Sequence, residues 1–191
     1  MQKNKILTIP NILSFYRLFT FPVILWFIIS GKETLFAVFL IINLVTDVLD
    51  GYIARRLNQQ TAFGARLDSM ADNLTFALAI IGILVFKIDD FRPHLISFFI
   101  FIVLGVLLLV LSLIKFGRFP SFHLYSFKIG GYIQGFFLAV LFTFGFITVF
   151  YYFMIIWAIL AALEHIVIQL IIPEMRSNVK GLYWILRERR S

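Results

Sequence analysis

Residues 35–86 read LFAVFLIINLVT DVLDGYIARRLNQQTAFGARLDSMAD N LTFALAIIGILVF, so four aspartates, Asp47, Asp50, Asp68 and Asp72, lie between two oily runs. Each run has the composition of a membrane helix. A carboxylate at the centre of such a helix costs roughly 2.5–3.5 kcal/mol on insertion scales. Four of them so close together need something cationic to hold them. The fold is thus read as membrane-embedded, and the acids as a site.

The rest of the chain agrees. Of its 191 residues, 61% are hydrophobic, against about 45–50% in soluble domains. The absence of cysteine removes disulfides, thiolate metal sites and cysteine nucleophiles from consideration. The opening MQKNKILTIPN lacks the apolar core and cleavage site of a signal peptide. A helical span needs about 20 apolar residues, and six such segments are expected, at 14–30, 34–53, 69–86, 95–114, 129–147 and 150–172. The expected breaks include Ser30–Glu33, Asn58–Gly64, Asp89–Pro93 and Gly117–Ser121. The expectation is an all-α integral membrane protein with six transmembrane helices, an N-terminal juxtamembrane helix and a single domain over 1–191.

Charge sets the orientation. With both termini cytoplasmic, fourteen of the seventeen Lys and Arg residues lie inside, leaving Lys32, Lys87 and Arg92 outside. That is the bias the positive-inside rule describes. It also accounts for the net charge of +7 without a nucleic-acid partner. The aspartates then sit at the cytoplasmic ends of the second and third spans, within reach of a soluble nucleotide and of a lipid.

Asp47 and Asp50 are i and i+3, and Asp68 and Asp72 are i and i+4, so each pair shares a helix face. Two helices joined by a tight loop can aim all four at one another. Bare carboxylates would repel, and one or two divalent cations remove the conflict. All-oxygen ligation favours Mg²⁺, Mn²⁺ or Ca²⁺ over zinc. Gly51 and Ala54 leave room for a phosphate, Arg55 supplies a planar cation suited to phosphate oxygens, and Gly64 is expected to let the chain turn before Asp68. Structural ion pairs with Arg55, Arg56 or Arg66 are the alternative. Four acids at this spacing, with two glycines, weigh against it and for a metal-assisted pyrophosphate site.

The pattern D-x2-D-G-x2-A-R-x8-G-x3-D-x3-D, carried by Asp47, Asp50, Gly51, Ala54, Arg55, Gly64, Asp68 and Asp72, resembles the signature of the CDP-alcohol phosphotransferases (CDP-alcohol phosphatidyltransferases). The opening Pro10-Asn11-Ile12-Leu13-Ser14-x-x-Arg17 looks like the N-terminal helix of the phosphatidylglycerophosphate synthase branch, and six helices match the family fold. The resemblance implies transfer of a substituted phosphate from a CDP-alcohol, such as CDP-diacylglycerol, to an acceptor hydroxyl with release of CMP. It implies two divalent ions, Mg²⁺ or Mn²⁺, among Asp47, Asp50, Asp68 and Asp72. Gly51, Ala54, Arg55 and Gly64 would line the CDP site, and Asp72 would be the general base. It also implies a homodimer, while the charge bias places the site on the cytoplasmic face and suits a bacterial inner membrane.

The acceptor is read from fewer residues. Asp68-Ser69-Met70-Ala71-Asp72-Asn73 looks more like the serine-accepting branch, while Arg17 points to glycerol 3-phosphate, which is the first expectation. Serine, inositol phosphate and phosphatidylglycerol are the alternatives. Arg66, Lys115, Arg118 and Lys128 are candidates to hold an acceptor phosphate, and His123 to touch substrate. His94 reads as interfacial; Glu164 and His165, inside the last span, read as structural, pairing with polar residues between helices or across a dimer contact. Asn11 and Asn43 are polar glue or site-lining groups. The tail from Glu174 reads as a basic, apolar segment on the anionic inner leaflet. A transporter with an acidic ion pathway is the rival of another class, disfavoured because the acids gather at one end of two consecutive helices.

Overall fold

The computed structural model describes residues 8–57, 59, 61–117, 124–173 and 179–188, and among these every regular element is helical. The chain divides into two compact units, residues 1–90 with 142–144, and residues 91–141 with 145–191.

The first unit is built on α1 (Ile9–Ile29), α2 (Glu33–Arg56) and α3 (Ala62–Gly82). Thr8 caps α1 by accepting the Asn11 amide at 3.4 Å, and Pro10 sits in the first turn, where its missing N–H costs nothing. As a result α1 starts at Ile9 and runs without a break to Ile29. The residues before Thr8, on which an N-terminal juxtamembrane helix would partly fall, lie outside the described residues. Arg55 and Arg56 lie in the last turn of α2, where cations suit the helix dipole. Thr61 opens α3 by accepting the Gly64 amide at 2.9 Å.

α1 packs along both α2 and α3. In lipid no hydrophobic drive pushes helices together, so close packing and buried polar contacts must hold them. Gly82 is one such place: a methyl there would run into the ring of Phe36, which is fully buried.

After Gly82 comes a π turn (Ile83–Lys87), then short α4 (Ile88–Phe91) and a 3-10 turn (Arg92–His94) leading into α5 (Leu95–Phe116). The break expected at Asp89–Pro93 is therefore a helical distortion rather than a loop. Pro93 falls in the first turn of its segment, where it needs no backbone partner. Lys87 and Glu33 form an ion pair at 2.8 Å.

The second unit contains α5, α6 (Tyr125–Thr143, less its last two residues), α7 (Thr148–Ile171) and α8 (Leu182–Glu188). Gly117, in the left-handed region at φ 67°, ends α5. Gln169 of α7 donates to the Leu108 carbonyl at 3.2 Å, tying α7 to α5. α8 folds back on Leu124, Ile168 and Ile172 through Ile185. Five helical stretches are long and apolar enough to cross a membrane: 9–29, 33–56, 63–116, 125–143 and 148–171. The protein is a multi-pass membrane protein.

Candidate functional site

Arg17 is the organising residue. Its side chain enters from α1 and is 1% exposed. One terminal nitrogen donates to Asp47 at 2.8 Å and to Asp72 at 2.6 Å; the other donates to Asp50 at 2.5 Å and to Asp68 at 2.6 Å. One guanidinium thus touches all four signature acids. Ser14, one turn earlier, adds a 3.3 Å hydrogen bond to Asp50. Asp50 is buried, whereas the other three side chains are 40–47% exposed. The cluster therefore has a closed side facing α1 and an open side.

The acids come together as their spacing predicts. Carboxylate oxygens of Asp47, Asp50 and Asp68 all lie within 4.8 Å of one another, and Asp72 joins through Arg17. Their cationic partner is Arg17, rather than Arg55, Arg56 or Arg66. Arg17 brings one positive charge to four carboxyl groups, so with all four ionised three negative charges go uncompensated in the cluster. The donor set is all oxygen and three of its members face outward, so the residues fit hard divalent ions such as Mg²⁺ or Mn²⁺.

A cleft of about 300 Å³ adjoins the acids. Asp50, Gly51, Ala54, Arg55, Gly64 and Asp68 line it, so every residue expected to meet a nucleotide is here. So are Pro10, Asn11 and Ser14 of α1, and Gln59, Thr61 and Ala65. The Arg55 guanidinium lies over the open face of Gly51. The Gln59 side-chain oxygen is buried without a hydrogen-bond partner among the described residues, a polar group available to a ligand.

Gly64 has a different role from the expected one. It has no positive φ and lies inside the first turn of α3. What it supplies is proximity, because a methyl there would collide with the Asn11 side-chain oxygen and reach Thr61 Oγ1 at 3.0 Å. Gly64 lets α1 approach α3.

Sequence reasoning read Arg17 as a topology charge and a branch marker, placed Ser14 only in the N-terminal motif, and left out Gln59 and Thr61. A usable signal was present. Asn11, Ser14 and Arg17 recur at i, i+3 and i+6, a polar stripe along an otherwise apolar helix.

Most of the other candidates fall in the second unit or outside the description; Arg66 and Asn43 belong to the first unit. Lys115 donates to the carbonyls of Gln169 and Leu170, at 2.7 and 2.9 Å, and so serves as a cap for the end of α7. Lys128 is exposed, as is Arg66 in the first unit. Arg118, His123 and the parts 174–178 and 189–191 of the tail lie outside the described residues, while 182–188 of the tail form α8. Glu164 accepts the Leu182 amide at 2.9 Å, and His165 is buried edge-on to Phe127. Both thus contact neighbouring helices, and the Gln169 amide nitrogen lies 3.3 Å from His165 Nε2 within α7 itself. His94 stacks on Phe146 and pairs with the Tyr152 hydroxyl at 3.0 Å. Asn43 is fully buried, and its side-chain oxygen accepts a 3.3 Å hydrogen bond from Thr20.

The family model for CDP-alcohol phosphatidyltransferase matches residues 7–171. Among curated proteins, a cardiolipin synthase (CMP-forming) of Streptomyces coelicolor is 39% identical over 89 residues, covering 44% of this chain and 41% of that protein. A CDP-diacylglycerol–glycerol-3-phosphate 3-phosphatidyltransferase of Aquifex aeolicus is 32% identical over 87 residues, 46% of this chain and 49% of that protein. One of the same name from Pseudomonas fluorescens is 40% identical over 78 residues, 39% of this chain and 40% of that protein. The chain thus spans less than half the length of these relatives. No solved structure matches it.

Proposed function

This chain belongs to the CDP-alcohol phosphatidyltransferase family, and on that premise we propose that it transfers a phosphatidyl group from CDP-diacylglycerol, or a related CDP-alcohol, to an acceptor hydroxyl. The observation that carries this reading is the cleft in which Gly51, Ala54, Arg55 and Gly64 adjoin the acids. A pyrophosphate needs small residues for approach, a planar cation, and carboxylates nearby for metal. All three meet there.

Asp47, Asp50, Asp68 and Asp72 would hold two Mg²⁺ or Mn²⁺ ions, which when bound offset charge on pyrophosphate oxygens. The remaining work falls to the chain. Arg55 pairs with phosphate oxygens over the bare face of Gly51. Asp72, with 47% of its side chain exposed, takes the proton of the acceptor hydroxyl as general base. The acceptor oxygen bonds to the β-phosphorus, the bond to the CMP oxygen breaks, and CMP leaves with that electron pair.

Glycerol 3-phosphate is the acceptor of choice, supported by the names of the Aquifex and Pseudomonas relatives. The Streptomyces relative favours a second reading, with phosphatidylglycerol as acceptor. The topology goes with the chemistry. The 54-residue stretch 63–116 has more than twice the roughly 20 residues that one helical span needs. It is read as two spans, giving six, with the termini and the site cytoplasmic in a bacterial inner membrane. Residues 1–191 act as one domain, and a homodimer is expected by family analogy.

The test is CMP release by purified protein from CDP-diacylglycerol with Mg²⁺ or Mn²⁺. Glycerol 3-phosphate, phosphatidylglycerol, serine and inositol phosphate are supplied separately, with Asp68→Asn as control. Release with glycerol 3-phosphate, lost in the variant, is the expected result. Release with phosphatidylglycerol alone would favour the second reading.

A further inference from the structure

The guanidinium of Arg17 sits where four signature carboxylates converge, and we propose that it is a built-in counter-ion that competes with the divalent ions for those oxygens. It would hold the acids in place while no metal is bound, and set how tightly metal binds afterwards. This rests on the metal reading above and extends it to a positioning residue on α1.

Three observations carry it. The four hydrogen bonds of 2.5–2.8 Å use both N–H groups of each terminal nitrogen, one per acid. No donor on those nitrogens is left to point elsewhere. The remaining nitrogen, Nε, is buried without a partner among the described residues. The side chain thus leaves one donor unsatisfied while directing the other four at the acids. Finally, the ligand is fixed from outside the signature helices, since Arg17 arrives on α1 while the acids ride on α2 and α3. A cation entering from the open side meets oxygens that are already engaged. It must share them with the guanidinium or displace it.

Like charges beside one another lower each other's affinity for a common anion. Removing the guanidinium therefore strengthens metal binding while loosening the metal-free protein. A ligand-like or purely structural Arg17 would give the opposite sign or no change in affinity.

The experiment measures Mn²⁺ binding by paramagnetic resonance of the free ion, with thermal unfolding in EDTA, for the full chain in lipid nanodiscs. Arg17→Met is expected to bind Mn²⁺ about tenfold more tightly, as removal of a neighbouring positive charge predicts, and to unfold at a lower temperature in EDTA. Arg17→Lys keeps a charge but not the fork, and is expected to shift both in the same directions by less. It decides the question should Arg17→Met fail to fold. Arg66→Met, on an exposed cation of the same motif, controls for charge acting at a distance and should change affinity little. Mn²⁺ binding unchanged or weaker in the Arg17 variants overturns the inference while leaving the metal site intact. No Mn²⁺ binding by the unaltered protein would overturn the metal reading itself, and this inference with it.

Discussion

Arg17 on α1 meets Asp50 on α2 at 2.5 Å, and the two side chains are 1% and 4% exposed. Its pairings with Asp47, Asp68 and Asp72 are 2.6–2.8 Å, and those acids are 40–47% exposed. One cation therefore makes one sealed ion pair and three wet ones. Wet pairs are worth little, because solvent screens them; sealed ones are costly to break. Asp50→Asn should lower metal-free stability by about 1.5–3 kcal/mol, the range for a hydrogen bond to a charged group. Asp47→Asn should lower it by less than about 1 kcal/mol. Thermal unfolding of both variants in EDTA compares them, and equal losses would contradict the asymmetry.

The acids also differ in expected chemistry. Asp68 belongs to the group whose oxygens fall within 4.8 Å, with Asp47 and Asp50. Asp72 is the most exposed of the four and is assigned the proton. Asp68→Asn should weaken Mn²⁺ binding and abolish transfer together. Asp72→Asn should lose about 10²–10⁴ in turnover, the usual worth of a general base, and lose less in Mn²⁺ affinity. Paired measurement of affinity and CMP release separates the two roles; full activity in Asp72→Asn would remove the base assignment.

Metal removal gives a third outcome. With all four acids ionised the cluster carries three uncompensated negative charges, and a pyrophosphate would bring more. Chelation should therefore abolish CMP release, and Mg²⁺ or Mn²⁺ should restore it. Release that persists after exhaustive chelation and dialysis would mean the carboxylates act without metal.

What the sequence made legible follows from distance along the chain. The acids were readable because they lie within two consecutive helices, where i+3 and i+4 spacing already defines a face. The cleft residues Gly51, Ala54, Arg55 and Gly64 were readable for the same reason. Arg17 was not, because its partners are 30 to 55 residues away and a lone basic residue near a span end has an adequate explanation in topology. Gly64 was misjudged on similar grounds. A glycine near a loop suggests a turn, and only the packing reveals that Asn11 needs its bare face. At Pro93 the residue type was read correctly as a breaker, but its place in a first turn leaves the helix path continuous.

The Gly64–Asn11 contact can be tested as a pair. A methyl at position 64 would strike the Asn11 side-chain oxygen, and overpacking of this kind costs about 1–3 kcal/mol. Gly64→Ala should destabilise the protein by that amount and depress transfer, since both residues line the cleft. Asn11→Ala in the same background removes the oxygen that is struck. The double variant should recover most of the stability, and additive losses by thermal unfolding would exclude the steric explanation.

Far from the acids in sequence, Glu164 accepts the Leu182 amide at 2.9 Å and so satisfies a backbone donor at the start of α8. A methyl at Gly181 would meet that same carboxylate oxygen at 3.0 Å and the Trp184 ring at 3.2 Å, so the junction is tightly fitted. The helix has seven residues, too few to persist alone, and its docking depends on this cap and on Ile185 against Ile168 and Ile172. Glu164→Ala removes the acceptor and should cost about 0.5–2 kcal/mol of local stability, as loss of a helix cap does. Hydrogen exchange at the Leu182 amide would rise accordingly. Glu164→Gln keeps an oxygen at the same reach and should behave nearly as the unaltered protein. Equal exchange in both variants would show that charge, and not the hydrogen bond, holds α8 in place.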